Sequence, residues 1–197
     1  MPKLWKDTVA EHRRDVRVAI REAAWSLASE RGVRGVTMGA VAERAGIARA
    51  TLYKYFSGVD EVLVAAHEDH VTEHLVQLQT ARSSAKSAGE GVRRLLAGYA
   101  QICFHRGQTR ARDLQDLLHS GEQHEQSESR LHALFAESVA AAQHAGQVRS
   151  DIPAGELAAF CVNALAAAGN LRSQAALNRL VSLVWESLHP GKASASL

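Results

Sequence analysis

The chain has 197 residues, enough to bury one large core or two modest ones. Its 23 Lys and Arg against 21 Asp and Glu exclude a polycation, and its richness in alanine and leucine, with 3 prolines and 5% aromatics, favours an all-α fold. The charge is uneven: Met1 to Asp60 hold eleven basic side chains against seven acidic ones, a basic end on a mildly acidic body, which suits local contact with phosphate.

The first helical stripe runs from Asp15 to Arg31, with a possible start as early as Asp7 or Thr8. Val16, Ile20, Ala23, Ala24, Leu27 and Ala28 recur at the helical period, and Gly32 closes the stripe. Trp25 lies off its centre, so a place at a helix junction or partial exposure is expected. Two short helices with a tight corner follow between Thr37 and Phe56. The Thr37 hydroxyl is placed to cap the first, Val41, Ala42 and Ala45 give it an apolar face, and Gly46 stops it. Leu52 and Phe56, at i and i+4, bury the second and leave Arg49, Thr51, Tyr53, Lys54 and Tyr55 outward. This is the helix-turn-helix pattern, with the second helix placed to read a DNA major groove. The polar N-terminal dozen is then either an arm on the DNA backbone or a frayed terminus.

Ser57 is placed to cap a fourth helix, from about Val59 to about Ala81, whose inner side carries Val62, Leu63, Ala66, Val71, Leu75 and Leu78. Such a helix is long enough to leave a small N-terminal bundle and enter a second one. Ser83 to Gly91 reads as a linker. Further helices are predicted over Val92–His105, Arg110–Ser120, Glu125–Ala145, Ala154–Leu171 and Gln174–Leu188, with Gly146 as a stop, Gln147 to Pro153 as a turn and a disordered tail from Pro190. The sum is about nine helices: a three-helix DNA-binding head over residues 1–58, and a larger bundle over 59–197 that begins with the helix linking the two.

The order Ile20, Ala23-Ala24, Leu27, Gly32, Thr37, Val41-Ala42, Ala45-Gly46-Ile47, Thr51-Leu52-Tyr53, Tyr55-Phe56 and Leu63 resembles the N-terminal signature of TetR-type transcriptional regulators, over about 50 residues from Arg17 to Ala66. The C-terminal part resembles the family only in helix count, length and the turn from Gly146 to Asp151. The resemblance implies a homodimer joined through its last two helices, a double-stranded DNA operator, and a small-molecule effector held in the C-terminal bundle that releases a repressor. It places Thr37 at a phosphate-contacting helix start, Arg49, Ala50, Thr51 and Lys54 on the groove side, and Tyr53 and Tyr55 against the backbone. Two positions depart from the family pattern. Val59 stands where lysine is usual, and Ala48 replaces a small hydroxylic cap. On chemistry alone, Arg49 offers two parallel donors to a guanine edge, whereas Lys54 and the tyrosine hydroxyls suit phosphates.

Other constellations compete. His67, His70 and His74 share one helical face, either as a weak metal candidate or as a solvated polar stripe. Tyr99, Cys103, Phe104, Leu118, Phe135, Phe160, Cys161 and Asn163 are candidates for an effector pocket, and a helical core uses the same residue types at the same spacing. Ala164 and Ala168 permit close helix approach, while Leu180, Val184, Trp185 and Leu188 form a broad apolar face, which together point to a dimer interface. Cys103 and Cys161 read as reduced thiols. No phosphate-cradling glycine loop, nucleophile elbow or organised Ser, His and acid set is found, so neither an enzyme nor a cofactor is expected. An architectural protein binding DNA without a preferred site is the other alternative. Trp5 is followed at once by Lys6 and Asp7, unlike a secretory segment. The longest apolar run falls short of the roughly 20 residues that span a bilayer. A cytoplasmic location without a membrane partner is the expectation.

Overall fold

The computed structural model describes residues 3–108 and 122–190, and all regular structure in them is helical. Helix α1 spans Lys3–Arg31, α2 Met38–Arg44, α3 Arg49–Leu52, α4 Val59–Ser83, α5 Ala88–Gln108, α6 Glu122–His144, α7 Ala154–Ala166 and α8 Gln174–Ser187. Short 3-10 turns occupy Val33–Gly35 and Ala167–Asn170. The helix expected over Arg110–Ser120 and most of the expected disordered tail lie outside the described residues.

The chain forms two compact units that divide between His70 and Val71, inside α4 and not at its start. The apolar pattern of α4 explains the position. Val62, Leu63 and Ala66 are buried with Ile20, Ala24, Leu27, Val41, Leu52 and Phe56 in the first core. Leu78, three turns further on, is buried with Leu95, Leu96, Cys103, Phe135, Val139, Cys161, Leu165 and Leu188 in the second. Each fully buried Leu or Phe contributes roughly 1.5–3 kcal/mol of burial free energy.

Two glycine stops take the left-handed conformation expected of them, Gly46 at φ +68° and Gly146 at φ +66°. The turn after Gly146 joins distant helix ends. The Gln147 side-chain oxygen accepts the Gly89 N–H at 2.7 Å, and the Arg149 N–H donates to the Leu188 carbonyl at 2.9 Å.

Three local expectations need correction. Only residues 84–87 of the predicted linker stay outside a helix. The Ser87 hydroxyl accepts the Glu90 N–H at 3.2 Å while the Glu90 carboxylate accepts the Lys86 N–H at 2.7 Å, a reciprocal cap that starts α5 early. Ser57 acts as a donor, since its N–H and Oγ–H bond Glu61 Oε2 at 2.7 and 2.8 Å. Finally, α7 stops at Ala166 and tightens into the 3-10 turn, where the α5 backbone passes so close that a Cβ on Gly107 would fall on the Gly169 carbonyl.

Candidate nucleic-acid interface

Helices of seven and four residues do not persist in water on their own, so α2 and α3 depend on caps and core contacts. Thr37 is extended, with φ −131°, and its side-chain oxygen accepts the Ala40 N–H at 3.2 Å, as the sequence predicts for an N-cap. At the other end the Gly46 N–H reaches the Glu43 carbonyl at 3.2 Å and the Ile47 N–H reaches that of Ala42 at 3.0 Å. Ala48 then begins α3 with no side-chain cap, and its carbonyl alone accepts the Thr51 and Leu52 N–H groups at 2.8 and 3.1 Å.

A polar clamp behind the corner fixes α2 on α1. Arg44 donates a two-pronged pair to Glu30 at 2.8 and 2.9 Å, and a third bond to Ser26 Oγ at 2.7 Å. The Arg44 hydrogen bond, aided by that of Ser26, holds the Glu30 carboxyl down at about 2. Sequence reasoning missed this clamp. Ser26 and Glu30 share a helix face, but nothing in the linear pattern assigns them a partner fourteen residues away.

The predicted DNA-contacting residues lie together on this unit. Thr37, Arg49, Ala50 and Lys54 are exposed, Thr51 and Tyr55 are half-buried, and Tyr53 is 47% exposed. Leu52 and Phe56 anchor the segment in the core, as expected. The second helix is shorter than predicted. Tyr53, Lys54 and Tyr55 follow α3 in a tight turn, with the Lys54 N–H on the Thr51 carbonyl at 3.0 Å and the Tyr55 N–H on that of Leu52 at 2.9 Å. Arg49 lies along Tyr53, its guanidinium 5.8 Å from the ring centroid and one N–H 3.4 Å from the hydroxyl. An exposed cation resting on an aromatic face is restrained without losing its donors.

The effector-pocket candidates separate into two groups. Tyr99, Cys103, Phe135 and Cys161 are buried in one cluster with Phe104 packed against it, and Tyr99 meets Phe135 edge-on at 5.8 Å. Burial pushes the Tyr99 hydroxyl and the Cys103 thiol up. Burial likewise pushes Cys161 up to about 12. Both cysteines are free thiols. Phe160, 46% exposed, and Asn163, whose amide turns back to the Ala159 carbonyl at 2.9 Å, do not join that cluster, because they occupy the outer face of α7. Leu118 lies outside the described residues. A cleft of about 390 Å³ in the second unit lies elsewhere, with Leu75, Val76 and Arg82 on α4 and Arg130, Leu134 and Glu137 on α6. Its mixed polar lining gives no sequence signal of a pocket.

The dimer candidates divide by burial. Ala168, Val184 and Leu188 are buried in their own chain's core, because α8 turns its Leu177, Val184 and Leu188 seam inward. Ala164, Leu180 and Trp185 are half-buried, and the large apolar side chains left exposed here are Phe160 and Leu183, the latter at 65%.

His67 and His70 pack on Trp25, with ring centroids 6.1 and 4.1 Å apart, which places that indole at the α1–α4 junction. Among the described residues, no three His, Cys, Asp or Glu side chains, those of His67, His70 and His74 included, come together to hold a metal ion. No helix among them is long and apolar enough to cross a membrane.

Residues 20–66 match the family described as bacterial regulatory proteins of the tetR family, and residues 93–190 match the SbtR-like transcriptional regulator C-terminal domain, together well over half of the chain. The fold is similar to that of a TetR/AcrR-family regulator from Thermobifida fusca YX-ER1, with a TM-score of 0.73 at 18% identity over 92% of this chain and 100% of that one. It is also similar to a TetR-family regulator from Marinobacter aquaeolei VT8, with a TM-score of 0.66 at 21% identity over 91% and 99%. A third similar structure is the ketosteroid regulator KstR2 of Mycobacterium tuberculosis, with a TM-score of 0.60 at 17% identity over 88% and 94%. No curated protein matches the chain by sequence.

Proposed function

The chain belongs to the TetR family of DNA-binding transcriptional regulators, and from that premise we propose that it is a cytoplasmic, homodimeric repressor, released from its operator by a small molecule. The observation that carries this is the head itself. Thr37 caps α2, Gly46 turns the corner, and buried Leu52 and Phe56 leave Arg49, Ala50, Tyr53 and Lys54 outward on one short segment. Arg49 reads a guanine edge, Thr51 touches a thymine methyl or phosphate, and Thr37, Tyr53, Lys54 and Tyr55 position the head on phosphates.

The exposed Phe160 and Leu183, with half-buried Ala164 and Leu180, form the dimer face on the last two helices. The cleft beside α4 supports an effector site in the second unit. Its Leu75, Val76 and Leu134 suit an apolar body, and Arg82 and Arg130 suit an anionic group. An effector that binds the DNA-incompetent state more tightly shifts the population away from the operator, and α4, which contributes side chains to both cores, carries the change. Footprinting over a twofold-symmetric site, with and without candidate amphipathic anions, tests this. Selective, salt-sensitive protection lost on adding effector is expected. Protection without site preference would instead identify an architectural protein.

A further inference from the structure

At 3.6 residues per turn, Arg13, Arg14, Arg17 and Arg21 of α1 fall within about a third of the helix circumference, whereas Glu11, Asp15 and Glu22 occupy a separate strip. The arginine strip is attached to the head at two points. The Arg21 guanidinium pairs with Asp69 of α4 at 2.7 Å. The Arg17 guanidinium lies 4.9 Å over the Phe56 ring. Phe56 directly follows Tyr55 and opens the corner between α3 and α4, so Arg17 stands beside the turn that carries Tyr53, Lys54 and Tyr55. Arg13, Arg14 and Arg17 are all exposed.

The start of α4 carries no cation, since its first residue is Val59 and the acidic Asp60 and Glu61 follow it. Ser57, just before it, has its N–H and hydroxyl committed to Glu61 at 2.7 and 2.8 Å. The Glu61 carboxyl is held down first by those two Ser57 bonds, with Arg17 only a minor influence. A guanidinium laid on a ring keeps its peripheral N–H groups available, and its weak hydration makes transfer onto an anion cheap.

We infer that Arg17, held over Phe56 at the α3–α4 corner, contacts DNA backbone phosphate and supplies the cation that the start of α4 does not carry, with Arg13 and Arg14 continuing the strip along flanking DNA. The inference rests on the DNA-binding function of the head. The residues add affinity and salt dependence and carry no sequence information.

The test is operator binding by the full-length protein across a salt series, with thermal melting of each variant alongside. Arg17→Ala is expected to reduce the steepness of log affinity against log salt by about one per head, with the footprint unchanged. Arg17→Lys should keep most of the steepness, and adding Val59→Lys to Arg17→Ala should restore it. A joint Arg13→Ala and Arg14→Ala variant alters only exposed side chains, so it should fold normally and also flatten the salt dependence. Unchanged steepness in the variants overturns the inference, and so does an affinity loss in Arg17→Ala that merely follows its melting temperature. A parent protein with no salt-sensitive operator binding overturns the DNA reading itself, and this inference falls with it.

Discussion

Arg44 at the end of α2 grips Glu30 at the end of α1 through two bonds of 2.8 and 2.9 Å, and this pair sets how the helix-turn-helix sits on its support. The Arg44 hydrogen bond holds the folded Glu30 carboxyl at about 2, below the ordinary carboxylate range. Its stabilising effect is therefore complete above the unfolded value and is lost as pH falls through the folded one. The head is expected to melt progressively earlier between those two values, and Glu30→Gln should remove that part of the pH dependence and lower the melting temperature by a few degrees at neutral pH. Melting curves of both proteins across that acid range check it, and parallel pH dependences would contradict the assignment.

Gly107 and Gly169 bring the α5 backbone onto the turn between α7 and α8. Gly107→Ala places a methyl group on the Gly169 carbonyl, where backbone and not a flexible side chain must yield, so a loss of about 1–3 kcal/mol is expected. Gly169→Ala meets the Cys103 carbonyl at 3.3 Å and should cost less. Chemical denaturation midpoints rank the two.

The exposed and buried halves of the last helices should respond differently. Phe160→Asp with Leu183→Glu is expected to give a folded monomer by sedimentation, because both side chains leave the chain's own core intact. Leu188→Ala, at a fully buried position, should cost about 2–5 kcal/mol of stability. A stable dimer in the first variant would move the interface elsewhere.

Cys103 and Cys161 are both buried, and both thiols are pushed above their ordinary range by that burial. Thiol reagents at mildly alkaline pH should leave the native protein unlabelled and modify both cysteines after unfolding. Rapid labelling of native protein would contradict the packing around Tyr99 and Phe135.

Much of the head was legible in the sequence because its signals are local. A threonine cap, a left-handed glycine and an i, i+4 apolar pair each act within a few residues, and Thr37, Gly46, Leu52 and Phe56 stand where the pattern puts them. The second unit was less legible because identical apolar chemistry serves core, pocket and interface. Only the packed structure separates buried Tyr99 and Leu188 from exposed Phe160 and Leu183. The clamp of Arg44 on Glu30 and the Gly107–Gly169 approach join residues distant in sequence, so neither leaves a local pattern. The early start of α5 was available, since Ser87 and Glu90 have capping-box spacing, but the glycines at 89 and 91 concealed it.

Arg49, exposed and resting against Tyr53, is proposed to read base edges while its neighbours bind phosphate. Competition binding of Arg49→Ala between the parent operator and single-base variants is the most direct measurement. Discrimination at one position per half-site is expected to fall by about 1–3 kcal/mol, with the salt dependence little changed. An Arg49→Ala protein that binds the operator as tightly and as selectively as the parent would contradict it.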